Sequence, residues 1–264
     1  MSPEFVIIFS NIFGFFSLLL QTEQTTCIKQ EKSFHMKSKV LTIAASFVLI
    51  VYMAKAQDCS SSFFPSKEGT RVEMTSYDKN GKETGNSVTI LASIRKNGPM
   101  TEYTLKSETK DSKGKTNTMD FTATCDGNNI AVSMKSFFPS EMQRSSGGGE
   151  MNIEGTNLNF PNSITVGQKL NDGNVTMTIS VGAMTMKTIM NIINRTVTGK
   201  ESIKTLTGTY DCYKIEYDVE TTMMNIKTKG KVRQWIAKGV GTVKSENYNE
   251  KGDLMGYSQL TSIK

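Results

Sequence analysis

Leu206–Val219, LTGTYDCYKIEYDV, is the stretch that decides the fold. After a Thr-Gly turn signal, Tyr213, Ile215, Tyr217 and Val219 fall on one side of an extended chain, and Lys214, Glu216 and Asp218 on the other. A period of two, rich in aromatic and β-branched residues, is the pattern of a strand with one face buried and one in water. The same alternation recurs from about residue 68 to the C-terminus, so this strand is expected to lie centrally in a large antiparallel sheet.

Upstream, Arg71 to Tyr77, Asn86 to Arg95, Met100 to Thr109, Thr116 to Cys125 and Ile130 to Met134 read as strands. Between them stand Asp78-Lys79-Asn80-Gly81, Lys96-Asn97-Gly98-Pro99, Asp111-Ser112-Lys113-Gly114 and Asp126-Gly127. Asp, Asn and Gly tolerate positive φ and punctuate hairpins, which points to a β-meander. Ser136 to Glu150, with Phe137-Phe138-Pro139-Ser140 and three consecutive glycines, reads as a mobile segment. Met151 to Phe160 is a weaker strand, and Pro161 to Asp172 a crossover.

Downstream, Asn174 to Val181 and Met184 to Arg195 form a hairpin about Gly182-Ala183. Gly199 is read as a turn into Glu201 to Thr207. Thr221 to Thr228, Lys231 to Ala237, Thr242 to Tyr248 and Asp253 to Ser262 complete the set, with a bend or bulge expected at Gly239-Val240-Gly241. No sustained helical period appears, so the chain is expected to be all-β with little helix.

The N-terminal part belongs to targeting rather than fold. Met36-Lys37-Ser38-Lys39 has the character of a basic n-region, Val40 to Met53 of an apolar core, and Ala54-Lys55-Ala56 of a small-x-small cleavage site. This predicts a signal peptide over 36–56, a mature chain over 57–264, and residues 1–35 as an upstream start-site artefact; a two-segment anchor is the alternative. Cys59 lacks the context of a lipidation site, so an exported protein without lipid or transmembrane anchor, periplasmic or extracellular, is expected. The segment 57–264 is long enough for one domain with a sizeable core. Its positive charge is slight and scattered through turns, and it offers none of the clustered basic surface that nucleic acid requires.

The only histidine, His35, precedes the cleavage site. Ser-His-Asp and Cys-His chemistry and imidazole zinc sites are therefore unavailable to the mature chain. Cys59, Cys125 and Cys212 remain, in a compartment where disulfides persist. Cys212 reads as a small buried hydrophobe within a strand. Cys59–Cys125 is the favoured pair, since it would tie the N-terminal lead-in to the sheet; the other pairings stay open.

Thr207-Gly208-Thr209-Tyr210-Asp211-Cys212-Tyr213-Lys214-Ile215, and Trp235-Ile236-Ala237-Lys238-Gly239-Val240-Gly241-Thr242-Val243-Lys244-Ser245-Glu246, carry a resemblance. Together with Pro161 to Asp172 and Gly256-Tyr257-Ser258-Gln259-Leu260, they resemble a group of exported bacterial proteins of unknown function common in Bacteroidetes. The resemblance brings no catalytic residue. By analogy it implies one strongly curved antiparallel sheet, a half-barrel or open barrel like that of lipoprotein carriers, which is a statement about fold rather than function.

Methionine is over-used. Met184, Met186 and Met190 fall at even positions of one strand, and Met177, Ile179, Met224 and Trp235 lie on neighbouring segments. Flexible thioethers suit a surface that must fit several apolar shapes. These seven residues are the candidate site for a lipid or other apolar small molecule, set against the plainer reading of core filling. The thioethers are too scattered for a copper site, and no metal or cofactor is expected. Asp211, Glu216, Asp218 and Glu220 are the carboxylates available for glycosidase chemistry, which needs a pair across a cleft; lying along one strand, they read as solvated charge. The expected function is a non-enzymatic exported binding protein. The alternatives are an envelope interaction module with a self-filled core and a partner protein, and, third, a carboxylate hydrolase.

Overall fold

The alternating segments pair into thirteen strands in the computed structural model, which describes Cys59, residues 62–133 and residues 150–264. They are β1 (Arg71–Asp78), β2 (Glu83–Asn97), β3 (Met100–Asp111), β4 (Thr116–Cys125), β5 (Asn129–Val132), β6 (Glu150–Gly155) and β7 (Leu158–Pro161). Then follow β8 (Gly173–Val181), β9 (Met184–Thr205), β10 (Gly208–Met223), β11 (Ile226–Ala237), β12 (Gly241–Asn249) and β13 (Leu254–Ile263). The signal peptide, its cleavage site, the upstream residues and 136–149 of the expected mobile segment lie outside the described residues. Among the described residues no helix is long and apolar enough to cross a membrane.

All thirteen strands belong to one antiparallel sheet, in the order β6-β8-β9-β10-β11-β12-β13-β1-β2-β3-β4-β5-β7. Two meanders are joined where the C-terminal strand β13 pairs with β1, opposing Met74 to Leu260 and Tyr77 to Tyr257, whose rings stack 5.0 Å apart. β10, which carries Leu206–Val219 from Gly208 onward and was expected to lie centrally, is interior but fourth in this order; β13 occupies the midpoint.

Three hairpins repeat one turn. Asp78 Oδ1 accepts the N–H groups of Asn80 and Lys82, Asp111 Oδ1 those of Lys113 and Lys115, and Asn249 Oδ1 those of Lys251 and Asp253. In each, a glycine three residues on (Gly81, Gly114, Gly252) takes the left-handed conformation.

Two boundaries differ from the sequence reading. Gly199 is not a turn: β9 runs through it as a strand of 22 residues, bulged at Thr198 opposite Lys214/Ile215, and the chain reverses at Leu206-Thr207. Thr221 to Thr228 is not one strand. Met224 and Asn225 adopt φ of 48° and 66°, both central positions of a tight hairpin turn, and separate β10 from β11.

The sheet is strongly curved. Laid flat, thirteen strands would be roughly 60 Å wide at ~4.8 Å spacing. Yet β6, at one edge, and β7, at the other, are joined by Thr156 and Asn157 alone. The "weaker strand" Met151 to Phe160 is therefore two half-strands: the first pairs with β8, the second with β5. A two-residue link reaches at most ~10 Å, so the edges must meet. Thr156 holds the seam, its N–H donating to Asn174 O and its hydroxyl accepting the N–H of Asn174, both at 3.1 Å. No ladder bridges β7 to β8, so the barrel stays open.

The inner face gathers Leu105, Phe121, Ile130, Leu158, Ile192, Ile215 and Tyr217 into the main core. Phe63 and Phe64 close one end, Phe63 against Phe160 and Tyr213 and Phe64 against Tyr103. The Cys59–Cys125 disulfide anchors this aromatic plug to β4. A smaller cluster of Val72, Met74, Cys212, Trp235, Val243 and Leu260 forms where the tip of the β9–β10 hairpin turns back, with Gln259 Nε2 donating to Lys204 O.

Gly173 is where the seam is tightest: a Cβ there would sit 2.1 Å from Leu158 Cδ2, and Leu158 is itself buried. Gly173→Ala is expected to destabilise the protein by about 1–3 kcal/mol through overpacking, measured by urea unfolding. An unchanged midpoint would mean that the edges do not touch.

Candidate functional site

Strand alternation puts the odd residues of β10 on the inner face, and the register carries that face to its neighbours. Val219 opposes Ile192, Thr221 opposes Met190, and Met190 in turn opposes Val175. Beyond this line the same face leaves the core. Met177 opposes Ile153, and Ile179 is paired with both Met151 and Met186. Met223 opposes Thr188 and Ile226. The outcome is an apolar end to the inner face, spread over the ends of β6, β8, β9, β10 and β11. Its inner members, Ile153 and Met177, are half-buried against the core, whereas Met186 is 40%, Ile226 62% and Met184 70% exposed.

The seven candidates therefore divide. Met177, Ile179, Met184, Met186 and Met190 share one face of adjacent strands, with Met190 buried as its floor. Met224 is 66% exposed in the turn at the same end. Trp235 stands apart, in the smaller cluster, with its Nε1–H donating to Glu201 Oε1 at 2.8 Å.

The inner face also holds polar residues. Ile215 opposes Gln234, Gln234 opposes Ser245, Ser245 opposes Ser258, Ser258 opposes Ser76, and Ser76 opposes Gly85. The four from Gln234 to Ser76 form a buried transverse row of small or amide side chains. Arg195 is buried too, with its guanidinium 5.9 Å from the Tyr217 ring centroid and Nη1 donating to Asn171 O. Burial pulls Arg195 down to about 9, against the opposing pull of Tyr217 and Asp172, and burial pushes Tyr217 up. Sequence reading missed this set. The visible signal was polar residues at apolar positions of the alternation, as in Val232-x-Gln234-x-Ile236.

The outer face is a lattice of ion pairs. Glu216, Asp218 and Glu220 of β10 stand opposite Arg233, Lys231 and Lys229 of β11. Hydrogen bonds from Lys227 and Lys229, at 2.8 and 2.7 Å, hold the Glu220 carboxyl below the usual carboxylate range. A groove of about 480 Å³ runs here past Asn194, Asp218, Lys231, Arg233 and Tyr248, its charges largely self-neutralised. The carboxylates weighed for hydrolysis are thus held by partners: Asp211 by Ser202, Glu216 by Lys214 and Arg233, Asp218 by Asn194 and Lys231. Burial, then Asp211, pushes the Cys212 thiol up to about 12, far from a reactive thiolate.

A family model described as DUF3108-like matches residues 67–260. The chain is similar in structure to a candidate exported protein with YmcC-like fold from Bacteroides fragilis, at 24% identity and TM-score 0.61, covering 77% of this chain and 99% of that one. It is also similar to a candidate lipoprotein from Parabacteroides distasonis, at 23% identity and TM-score 0.63, covering 78% and 100%. At these identities the likeness is one of fold. No curated protein matches the chain.

Glu246 supplies the electrostatic test of this outer face. Burial alone would raise its pKa, but hydrogen bonds from Lys244 Nζ and the Tyr248 hydroxyl outweigh it and hold the carboxyl low. A depressed carboxylate contributes stability that is complete above its unfolded pKa, about 4.3, and lost as pH falls through the folded value. Glu246→Gln should lower the urea midpoint at pH 7, and the deficit should shrink as pH falls below about 4. A deficit that does not shrink would contradict the ion-pair role.

Proposed function

This chain belongs to the DUF3108-like family, and from that premise we propose that it is an exported, non-enzymatic carrier of a lipid or other apolar small molecule. It works in the periplasm or outside the cell. The observation that carries this reading is the course of the inner face: a floor of Met190, a half-buried step of Met177, Ile179 and Ile153, and then exposed Met184, Met186 and Ile226. A contiguous apolar surface of this kind marks an interaction site. Thioethers let it fit chains of differing shape, and the self-paired outer face leaves the carboxylates engaged elsewhere. Export is supported by the n-region, apolar core and Ala54-Lys55-Ala56 of the N-terminal sequence.

Organic-solvent extracts of the purified protein should contain co-purified lipid, and the protein should bind the apolar dye N-phenyl-1-naphthylamine. Met186→Lys should weaken dye binding at least tenfold. Because Met186 is already partly exposed, the cost in stability should stay within about 0.5 kcal/mol. A protein with no extractable lipid and no dye binding would instead support the rival reading, an envelope interaction module packed against a partner.

A further inference from the structure

We propose that Gln234 and Ser245 form the subsite for the polar head of the bound molecule, an uncharged group carrying hydroxyl or amide donors; this rests on the carrier reading. Both side chains are 0% exposed, face each other across β11 and β12, and lie on the inner face. The Gln234 amide has one partner: Nε2 donates to Thr242 Oγ1 at 2.8 Å, and Oε1 has none. Turning the amide over exchanges the two ends and still leaves one unpaired. Ser245 Oγ, its cross-strand neighbour, is likewise without a hydrogen-bond partner. Buried polar atoms are ordinarily paired, so two adjacent unpaired ones call for a third party.

The surroundings limit what that party is. Ser258 and Ser76 continue the row across two further strands with short, hydroxyl-bearing side chains. An amide oxygen and a hydroxyl offer no charge to balance an ion, and burying an unbalanced ion is costly; a neutral donor such as a hydroxyl suits both. The position suits an amphiphile as well. Gln234 lies one inner-face position from Ile236, which opposes the Tyr213 that packs on Phe63, and the inner face runs from it over Val232 to exposed Ile226, eight residues along β11 or roughly 26 Å at ~3.3 Å per residue. A long acyl chain with its head at Gln234 would direct its tail toward the methionine end.

The test uses the full chain, with 1-monooleoylglycerol (neutral, hydroxyl-bearing) and 1-octadecene (no hydrogen-bonding group) competing against N-phenyl-1-naphthylamine. The wild type should favour the monoglyceride. Ser245→Ala and Gln234→Leu should each reduce monoglyceride affinity about tenfold, the worth of one buried hydrogen bond, and leave octadecene affinity unchanged. Ligand-free Ser245→Ala should unfold at no lower temperature than the wild type, because the hydroxyl it removes is unpaired. Unchanged monoglyceride affinity in both variants would overturn the subsite and leave the carrier reading intact. A lower unfolding temperature for Ser245→Ala would also overturn it, by showing that the hydroxyl serves the fold through buried water. A wild type that binds neither competitor nor the dye would overturn the carrier reading itself.

Discussion

Everything in this protein hangs on the two residues between Gly155 and Leu158. A chain that leaves one edge of a thirteen-strand sheet and joins the opposite edge after Thr156 and Asn157 leaves the sheet no freedom to lie flat. Gly155 and Gly173 are the concessions to that closeness: a Cβ on either would meet Asn174 O or Leu158 at 2.5 and 2.1 Å. Curvature then follows from connectivity, with the extra residues of β9 opposite Lys214/Ile215 and Glu216/Asp218 letting that strand bend where the curl requires it.

Curling makes the two sides of the same ribbon chemically different. Inside, Ile215, Ile192, Leu105 and Phe121, from distant parts of the sheet order, bury one another. Outside, where strands spread and water enters, Glu216, Asp218 and Glu220 face Arg233, Lys231 and Lys229 in a lattice that holds charge locally. Pairs this exposed contribute little each, so stability comes mainly from the inner face. The inner face is itself graded, from aromatic plug through a buried polar row to a methionine-rich end open to solvent.

Much of this was legible in sequence, because alternation reports a sheet face directly. The Asp-x-x-Gly turns and the Gly182-Ala183 hairpin each had a local cause that residues reveal, and Cys59–Cys125 was the favoured pairing among those left open. What escaped was long-range. Met224 carries positive φ without being Gly or Asn, so the β10–β11 turn left only Asn225 as a trace. Gly199 looked like a turn because a glycine inside a bulged strand carries the same letter as a glycine in a hairpin. The division of Met151 to Phe160 between two edges depends on partners far away in the chain. Shared membership of a face is visible in one strand, so Met184, Met186 and Met190 were grouped correctly. Which side of the sheet Trp235 serves depends on the β9–β10 tip that packs near it.

The most direct measurement of the central idea, that the sheet's edges meet, is methyl-labelled NOE spectroscopy across the seam. The Leu158 methyl groups should show strong cross-peaks to the Gly173 Hα protons, joining a residue of β7 to one of β8. Their absence, with the β5–β7 and β6–β8 ladders intact, would contradict the curled sheet and the inner face built upon it.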